Sequence, residues 1–290
     1  MKKQLQFLCR AFPVLLMMPY LATILCNGSY AALVNRKLDF EMCVPILTAG
    51  QISFGQEKET IKAQTIIART NLYLKLQEEN IMDILCNVKE KFLLKSGNNS
   101  FAEKLLLYKK FWIYENAAEE TKDQVLVYQE VLHQVPYHEV SSGTTRDGEE
   151  IFHDKAYTYL KSVDSSQDKG SADYLTSIYI PEQQMPEVLK INERDAQGYV
   201  LSLLADDRLL EGETFSAGMN LASSNFSIQK VGNNYRFLCK GKGHGLGFSQ
   251  YGGNELAKTG NTCEQILTVY FPEMEIRNIK DINTVFQKSE

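Results

Sequence analysis

Apolar positions recur at helical spacing in some stretches of this chain and alternate in others, and the two kinds are interleaved. Within residues 57–76, Ile61, Thr65, Ala68 and Leu72 fall at i, i+4, i+7 and i+11, one face of a helix. Glu57 and Glu59 occupy its first turn, where the helix dipole favours negative charge, and read as solvated. Leu85, Val88, Phe92 and Leu93 predict a second helix, ending at Ser96-Gly-Asn-Asn-Ser100. A third, over 101–119, takes its apolar surface from Leu105, Tyr108, Phe111, Trp112 and Tyr114. Strands are predicted over 125–128 and 131–135, paired around Gln129-Glu130, and again over 174–180 and 198–204. A hairpin joins 227–231 to 235–239 through Gly232-Asn-Asn234, and Thr262 N-caps a helix over 263–270. Residues 39–50 are mostly apolar, with Asp39 as N-cap and Pro45 expected to kink any helix. Residues 165–172 read as a surface loop, 181–191 as a helix, and the last eighteen residues as a polar tail. The sum is an α+β fold of mixed helices and antiparallel sheet.

The N-terminus has a different pattern. Lys2, Lys3 and Arg10 precede an apolar run over 11–26, sixteen residues against the roughly 20 that span a bilayer. The basic side faces the cytoplasm and places the remainder outside it. Two readings stay open: a single-pass anchor, or a signal peptide cleaved near Ser29-Tyr-Ala31. Residues 1–29 are therefore assigned to the membrane segment and 30–290 to an extracytoplasmic domain.

Composition narrows the partners. A formal net charge of −5 and the lack of a basic patch argue against nucleic acid. The six cysteines include no C-x-x-C pair, so neither a zinc ribbon nor a redox motif is supported. A disulfide among Cys43, Cys86, Cys239 and Cys263 stays open.

The chemistry concentrates in residues 240–253, where six glycines bracket His244, Ser249, Gln250 and Tyr251. So many glycines exclude a regular helix or central strand and form a loop between a strand and a helix, with His244 displayed on it. The pattern G-x-G-x-G-x-G is neither nucleotide motif. Several hydrogen-bonding side chains on one small surface suit a neutral, hydroxyl-rich ligand.

Gly243-His-Gly-Leu-Gly-Phe-Ser-Gln-Tyr-Gly252 resembles the signature of the stage II sporulation protein D family, which includes the amidase enhancers of cell-wall hydrolases. Lys62-Ala-Gln-Thr-Ile-Ile-Ala-Arg-Thr70 is similar to the family's K-A-Q-A-V-A-A-R-T segment, and Tyr137-His-Glu-Val-Ser-Ser-Gly-Thr-Thr145 to its Y-H-S-S-S-G-G-x-T run. The resemblance covers about 40–275 and is weakest over 77–111. It implies peptidoglycan as ligand, an engulfment-stage role in sporulation, and His138, Ser141, Ser142, His244, Ser249, Gln250 and Tyr251 as substrate-binding residues. A Ser142 hydrolase triad is a minor alternative, needing an oxyanion hole that sequence does not show. Some relatives hold zinc through Cys and His; no such spacing occurs here, and neither metal nor cofactor is expected.

The family's best-known members are lytic transglycosylases, with a catalytic glutamate eleven residues before the lysine of K-A-Q. Counting back from Lys62 gives Gln51, and no acid occurs between Met42 and Gln56. One carboxyl must protonate the leaving glycosidic oxygen and then accept the proton of the muramic 6-hydroxyl as the anhydro ring closes. An amide can hold the sugar but cannot titrate. Three readings follow: a catalytically impaired glycan binder that assists a partner hydrolase, an active transglycosylase using another acid, or a scaffold.

Overall fold

The computed structural model describes residues 40–78 and 109–282. The chain divides between Met42 and Cys43, and the fold below is that of the second unit. The expected membrane segment, Asp39, Cys86 and the predicted helix beyond Leu85 lie outside the described residues. Among the described residues, no helix is long and apolar enough to cross a membrane.

The predicted α+β mixture is what forms. Helix α1 (Val44–Gln51) and helix α2 (Lys58–Glu78) pack on each other and on α3 (Trp112–Glu120). Pro45 lies in the first turn of α1, where a missing N–H leaves no bond unmade, so the expected kink does not occur. In α2 the predicted face is buried, but so are Ala63, Gln64, Ile66, Ile67, Arg69 and Thr70. A helix buried all round shows little amphipathic contrast, which is why periodicity picked out only one side. Its polar groups are satisfied internally: Thr70 Oγ1 donates to Ile66 O at 2.8 Å, and the Asn71 amide brackets the Val135 backbone at 2.8 Å in both directions. Glu59 is not a solvated charge. Its carboxylate accepts the Cys263 N–H at 2.8 Å and pairs with Lys62 at 3.0 Å, fastening α2 to the start of another helix.

Strand β1 (Gln124–Tyr128) pairs antiparallel with β2 (Val131–Leu132), as predicted, through Gln129 and Glu130 at φ 51° and 63°. Its other edge takes β11 (Glu275–Asn278), followed by the buried Ile279 and Ile282. The supposed polar tail therefore joins a sheet over 275–278 and stays packed on the fold through Ile282.

Two further antiparallel sheets share one apolar layer. The first is β4 (Leu175–Pro181), β9 (Asn234–Lys240) and β8 (Phe226–Val231); the second is β5 (Leu189–Arg194), β6 (Val200–Ala205) and β7 (Arg208–Glu211). Val200, Leu203, Phe226 and Phe237 meet Phe215 of α5 (Gly212–Gly218) between them. Residues 181–191 are not a helix. Pro181 and Pro186 bound a short 3₁₀ turn, after which Leu189 and Ile191 point inward and Lys190 outward as strand β5. A short helix α4 (Gly148–Phe152) precedes β4 in the chain.

The pairing that matters for the site is parallel and joins distant segments. β3 (Tyr137–His138) lies beside β10 (Phe248–Ser249), with Phe248 opposite Tyr137 and Ser249 opposite His138. After β10 come α6 (Gln250–Lys258) and α7 (Cys263–Tyr270), the latter opened by the predicted Thr262 cap, here a full capping box with Gln265. The largest core cluster joins α2, β10 and α7 through Ile66, Ile67, Phe248, Ile266 and Tyr270.

Candidate functional site

The glycine loop is stitched to residues 136–146 along its length. Val140 and Lys242 exchange backbone hydrogen bonds at 3.1 and 2.7 Å, Arg146 N–H donates to Gly245 O at 2.9 Å, and Phe248 N–H to Pro136 O at 3.1 Å. So close an approach leaves no room for side chains. A Cβ on Gly247 (φ 69°) would lie 2.3 Å from Pro136 O, and one on Gly245 (φ 78°) 2.3 Å from the Tyr199 hydroxyl.

A buried carboxylate that the sequence reading placed on a surface loop anchors this assembly. Asp168 is fully buried and accepts hydrogen bonds from Ser141 N–H (2.9 Å), Ser165 Oγ (2.9 Å) and Ser249 Oγ (2.8 Å). Burial raises its pKa and those donors oppose the rise. Ser249 also caps α6 by accepting Gly252 N–H, and Ser141 Oγ accepts Gly143 N–H at 3.0 Å. The 165–172 stretch is mostly exposed, as read, but it turns Ser165 and Asp168 inward as a buried wall behind the loop.

Beside this wall is a cleft of about 260 Å³ that brings Gln51, His138, His244 and Gln250 together. The other four predicted site residues do not line it. Ser141 and Ser249 are wholly buried and spent on Asp168 and backbone, the Ser142 hydroxyl is buried without a partner, and Tyr251 donates its N–H to Glu139 O. His244 is half-buried rather than displayed.

Backbone groups fix the tautomers of both histidines, and one residue does it for the pair. Leu246 C=O can only accept, so His138 Nδ1, 3.0 Å away, carries the proton and Nε2 is a bare acceptor. That Nε2 is buried and has no partner. Leu246 N–H donates to His244 Nδ1 at 3.1 Å, so the His244 proton sits on Nε2. The rings meet edge to face at 5.7 Å. Burial, helped by the neighbouring His244, pushes His138 down to about 3, and burial lowers His244 as well. Both are neutral imidazoles at neutral pH, unable to act as proton donors of the imidazolium kind.

That burial has a measurable consequence. The unfolded chain takes up a proton at His138 near pH 6.5, whereas the folded chain does so only near pH 3. Unfolding is therefore favoured as pH falls through this window. The thermal midpoint is expected to drop between pH 6.5 and 4, and to drop less in His138→Gln; an equal slope in both proteins contradicts the buried neutral imidazole.

Three amides form a chain at the cleft's other side. Gln64 Nε2 donates to Gln51 Oε1 at 2.7 Å, and Gln250 Nε2 donates both to Gln64 Oε1 at 3.0 Å and to the Gln51 backbone carbonyl at 3.1 Å. The cleft also contains an acid that the sequence reading did not reach, Glu139. It is the only carboxylate among the described lining residues, and its Oε2 lies 2.6 Å from Lys242 Nζ. The signal was present: in the Tyr137 run it stands where the resembled family has serine.

Arg146 ties the loop to the second half of the fold. Its Nε meets Asp195 at 2.6 Å, its Nη1 meets Glu213 at 2.6 Å and His244 O at 3.1 Å, and its guanidinium lies 4.5 Å over the Tyr199 ring. Away from the cleft, Glu59, Cys263 and Glu264 bring three possible metal ligands together. Lys62 occupies Glu59, and burial pushes the Cys263 thiol up to about 12, so these groups fit a helix junction better than a metal.

No family model matches the chain. It is 28% identical over 172 residues to the Stage II sporulation protein D of Bacillus amyloliquefaciens, a match covering 56% of this chain and 50% of that protein. The chain thus spans about half the length of that relative. It is 26% identical over 253 residues to the Stage II sporulation protein D of Bacillus subtilis (strain 168), covering 79% and 72% of the two chains. An uncharacterized protein of Brachyspira hyodysenteriae matches at 23% over 274 residues, 88% and 71% of the chains. The resemblance drawn from the motifs is therefore supported, as a distant one.

Proposed function

We propose that this chain binds the glycan strands of peptidoglycan during sporulation and takes part in wall remodelling with its own cleavage chemistry impaired. The observation that carries this reading is the content of the cleft. Gln51, at the position matching the family's general acid, lines it together with His138 and His244, and none of the three offers a titrating proton near neutral pH. What remains is a set of oriented hydrogen-bonding groups of the kind that holds a neutral sugar. In this reading the domain lies outside the cytoplasm, held at the membrane by its N-terminal segment, and a cell-wall amidase or another sporulation membrane protein acts beside it.

A second reading has a specific observation in its favour. Glu139 lies in the cleft and could serve an active transglycosylase. Its carboxylate is engaged by the Lys242 ammonium, which is itself paired with Asp173 at 3.5 Å. A general acid needs a proton where this group holds an ion pair, so the binding reading is preferred.

Co-sedimentation of the detergent-solubilised full chain with denuded glycan strands tests the proposal. Retention is expected, and His244→Ala is expected to weaken it while shifting the thermal midpoint by only a few degrees. No retention of the unaltered chain leaves the scaffold reading. A large loss of stability in the variant instead assigns His244 to the packing of the loop.

A further inference from the structure

The edge of a sheet is a row of backbone N–H and C=O groups ready to pair with another strand, and folds guard it with charge, irregularity or brevity. The described sheets are guarded in these ways at every edge but one. β5 carries Lys190, Glu193 and Arg194 and breaks register against β6; β7 carries Arg208 and Glu211. β8 carries Lys230, β11 carries Glu275 and Arg277, and β2, β3 and β10 are two residues long. β4, Leu175-Thr-Ser-Ile-Tyr-Ile-Pro181, has seven residues, no charged side chain and an unbroken register against β9. Its one guard is Pro181, at the last position.

In the described sheets β9 is the sole neighbour of β4. Among the described residues, no backbone group of 175–181 bonds to a turn or loop on the other side. On the outer face Leu175, Ser177 and Tyr179 are exposed, the tyrosine ring lying 5.9 Å from the Arg236 guanidinium. On the inner face Thr176, Ile178 and Ile180 are half-buried, the two isoleucines against the apolar layer between the sheets.

We infer that β4 is a dimer contact, pairing antiparallel with β4 of a second copy of this chain across a two-fold axis at Ile178. Two three-stranded sheets become one of six. A two-fold contact sets a patch against itself, so a charge near the axis meets its own kind. An uncharged strand suits a copy of itself, whereas an acidic or basic segment from elsewhere finds no counter-charge on it. With the axis at Ile178, that residue meets its own copy, Ser177 meets Tyr179 and Thr176 meets Ile180. The two tyrosines are diagonal neighbours, within reach of each other, and β-branched and aromatic pairs of this kind are those that stabilise antiparallel strands. Pro181 falls at the end of the pairing, where its missing N–H costs least. Seven residues give about 24 Å of paired edge at about 3.4 Å each. So narrow a contact belongs to the weak class of interfaces, and a concentration-dependent equilibrium is expected. β9 runs on through Gly241 into Lys242 and His244, so each copy brings its own cleft; in the glycan reading above, a dimer holds a polymer at two points.

Sedimentation velocity of the detergent-solubilised full chain over a concentration series tests the pairing. The protein mass per particle is expected to rise from one chain to two. Ser177→Glu combined with Tyr179→Glu sets like charges directly opposite across the axis, while within one chain the acid at position 179 faces Arg236 on β9. Both positions are exposed, so the thermal midpoint of the dilute variant should move by only a few degrees, and its dimer dissociation constant should rise by about tenfold or more. Hydrogen exchange on the unaltered chain gives a readout that needs no variant: amides within 175–180 should exchange more slowly as the dimer forms. A mass of one chain at every concentration overturns the inference and leaves the edge to a different strand. A dimer that the double variant does not weaken, or that adds no protection over 175–180, overturns the assignment to β4.

Discussion

Replacing Gln51 with glutamate is expected to raise glycan-strand cleavage by about 10² to 10⁴ over the unaltered chain, the range that a positioned general acid–base supplies. The position is already prepared. Gln51 is the last residue of α1, and the next residue, Ile52, is buried and holds the Tyr114 hydroxyl on its carbonyl at 2.9 Å. A carboxylate there could take the Gln64 N–H that the amide oxygen now takes at 2.7 Å, so the side chain keeps its anchor. It would also sit at the negative end of the α1 dipole, which disfavours ionisation and suits a group that must begin protonated. The readout is the rate at which anhydromuramic ends appear on denuded strands. An unchanged rate in a folded Gln51→Glu chain means that position 51 does not reach the scissile bond.

Asp195→Ala is expected to destabilise the fold by about 3–5 kcal/mol, the usual consequence of removing one partner of a buried ion pair. Arg146 and Asp195 side chains are 2% and 0% exposed and meet at 2.6 Å. Asp195 also accepts the Tyr199 N–H at 2.8 Å and the Gln197 N–H at 3.1 Å, so the turn leading into β6 loses its hub as well. At about 2–4 °C per kcal/mol for a domain of this size, the thermal midpoint should fall by roughly 10 °C. Glu213→Ala provides the contrast, since Glu213 is 43% exposed and solvent can replace it on Arg146. A loss of less than about 1 kcal/mol in Asp195→Ala contradicts the role given to the pair.

Local signals in the sequence were reliable where the structure is local. The Thr262 cap, the Gln129-Glu130 hairpin and the glycine loop between strand and helix all form where the residues place them. Failures occurred where distant segments decide. Residues 181–191 carry apolar spacing that a helix could use, but the edge of β6 draws their last part, from Leu189, into a strand. Residues 275–278 look polar because they cover an edge, not because they are free. Asp168 looks like a loop acid because its partners, Ser141 and Ser249, come from other parts of the chain.

The site divides in the same way. Gln51, His138, His244 and Gln250 were chosen through motif resemblance, and the fold brings them into one cleft. Ser141 and Ser249 came from the same motifs yet face inward, because a motif preserves wall and lining residues alike and sequence does not distinguish them. Glu139 is not legible as a cleft acid because it is far from Gln51 in sequence. The parallel β3–β10 pairing is what carries residue 139 into the neighbourhood of 244.

The most direct measurement is mass spectrometry of denuded glycan strands held with the purified, unaltered full chain. Strands that co-sediment with the protein and keep their original ends are the expected result. Accumulation of anhydromuramic termini at a rate matching that of Gln51→Glu would contradict the proposal of impaired cleavage, because a proton donor would then be at work in the unaltered cleft.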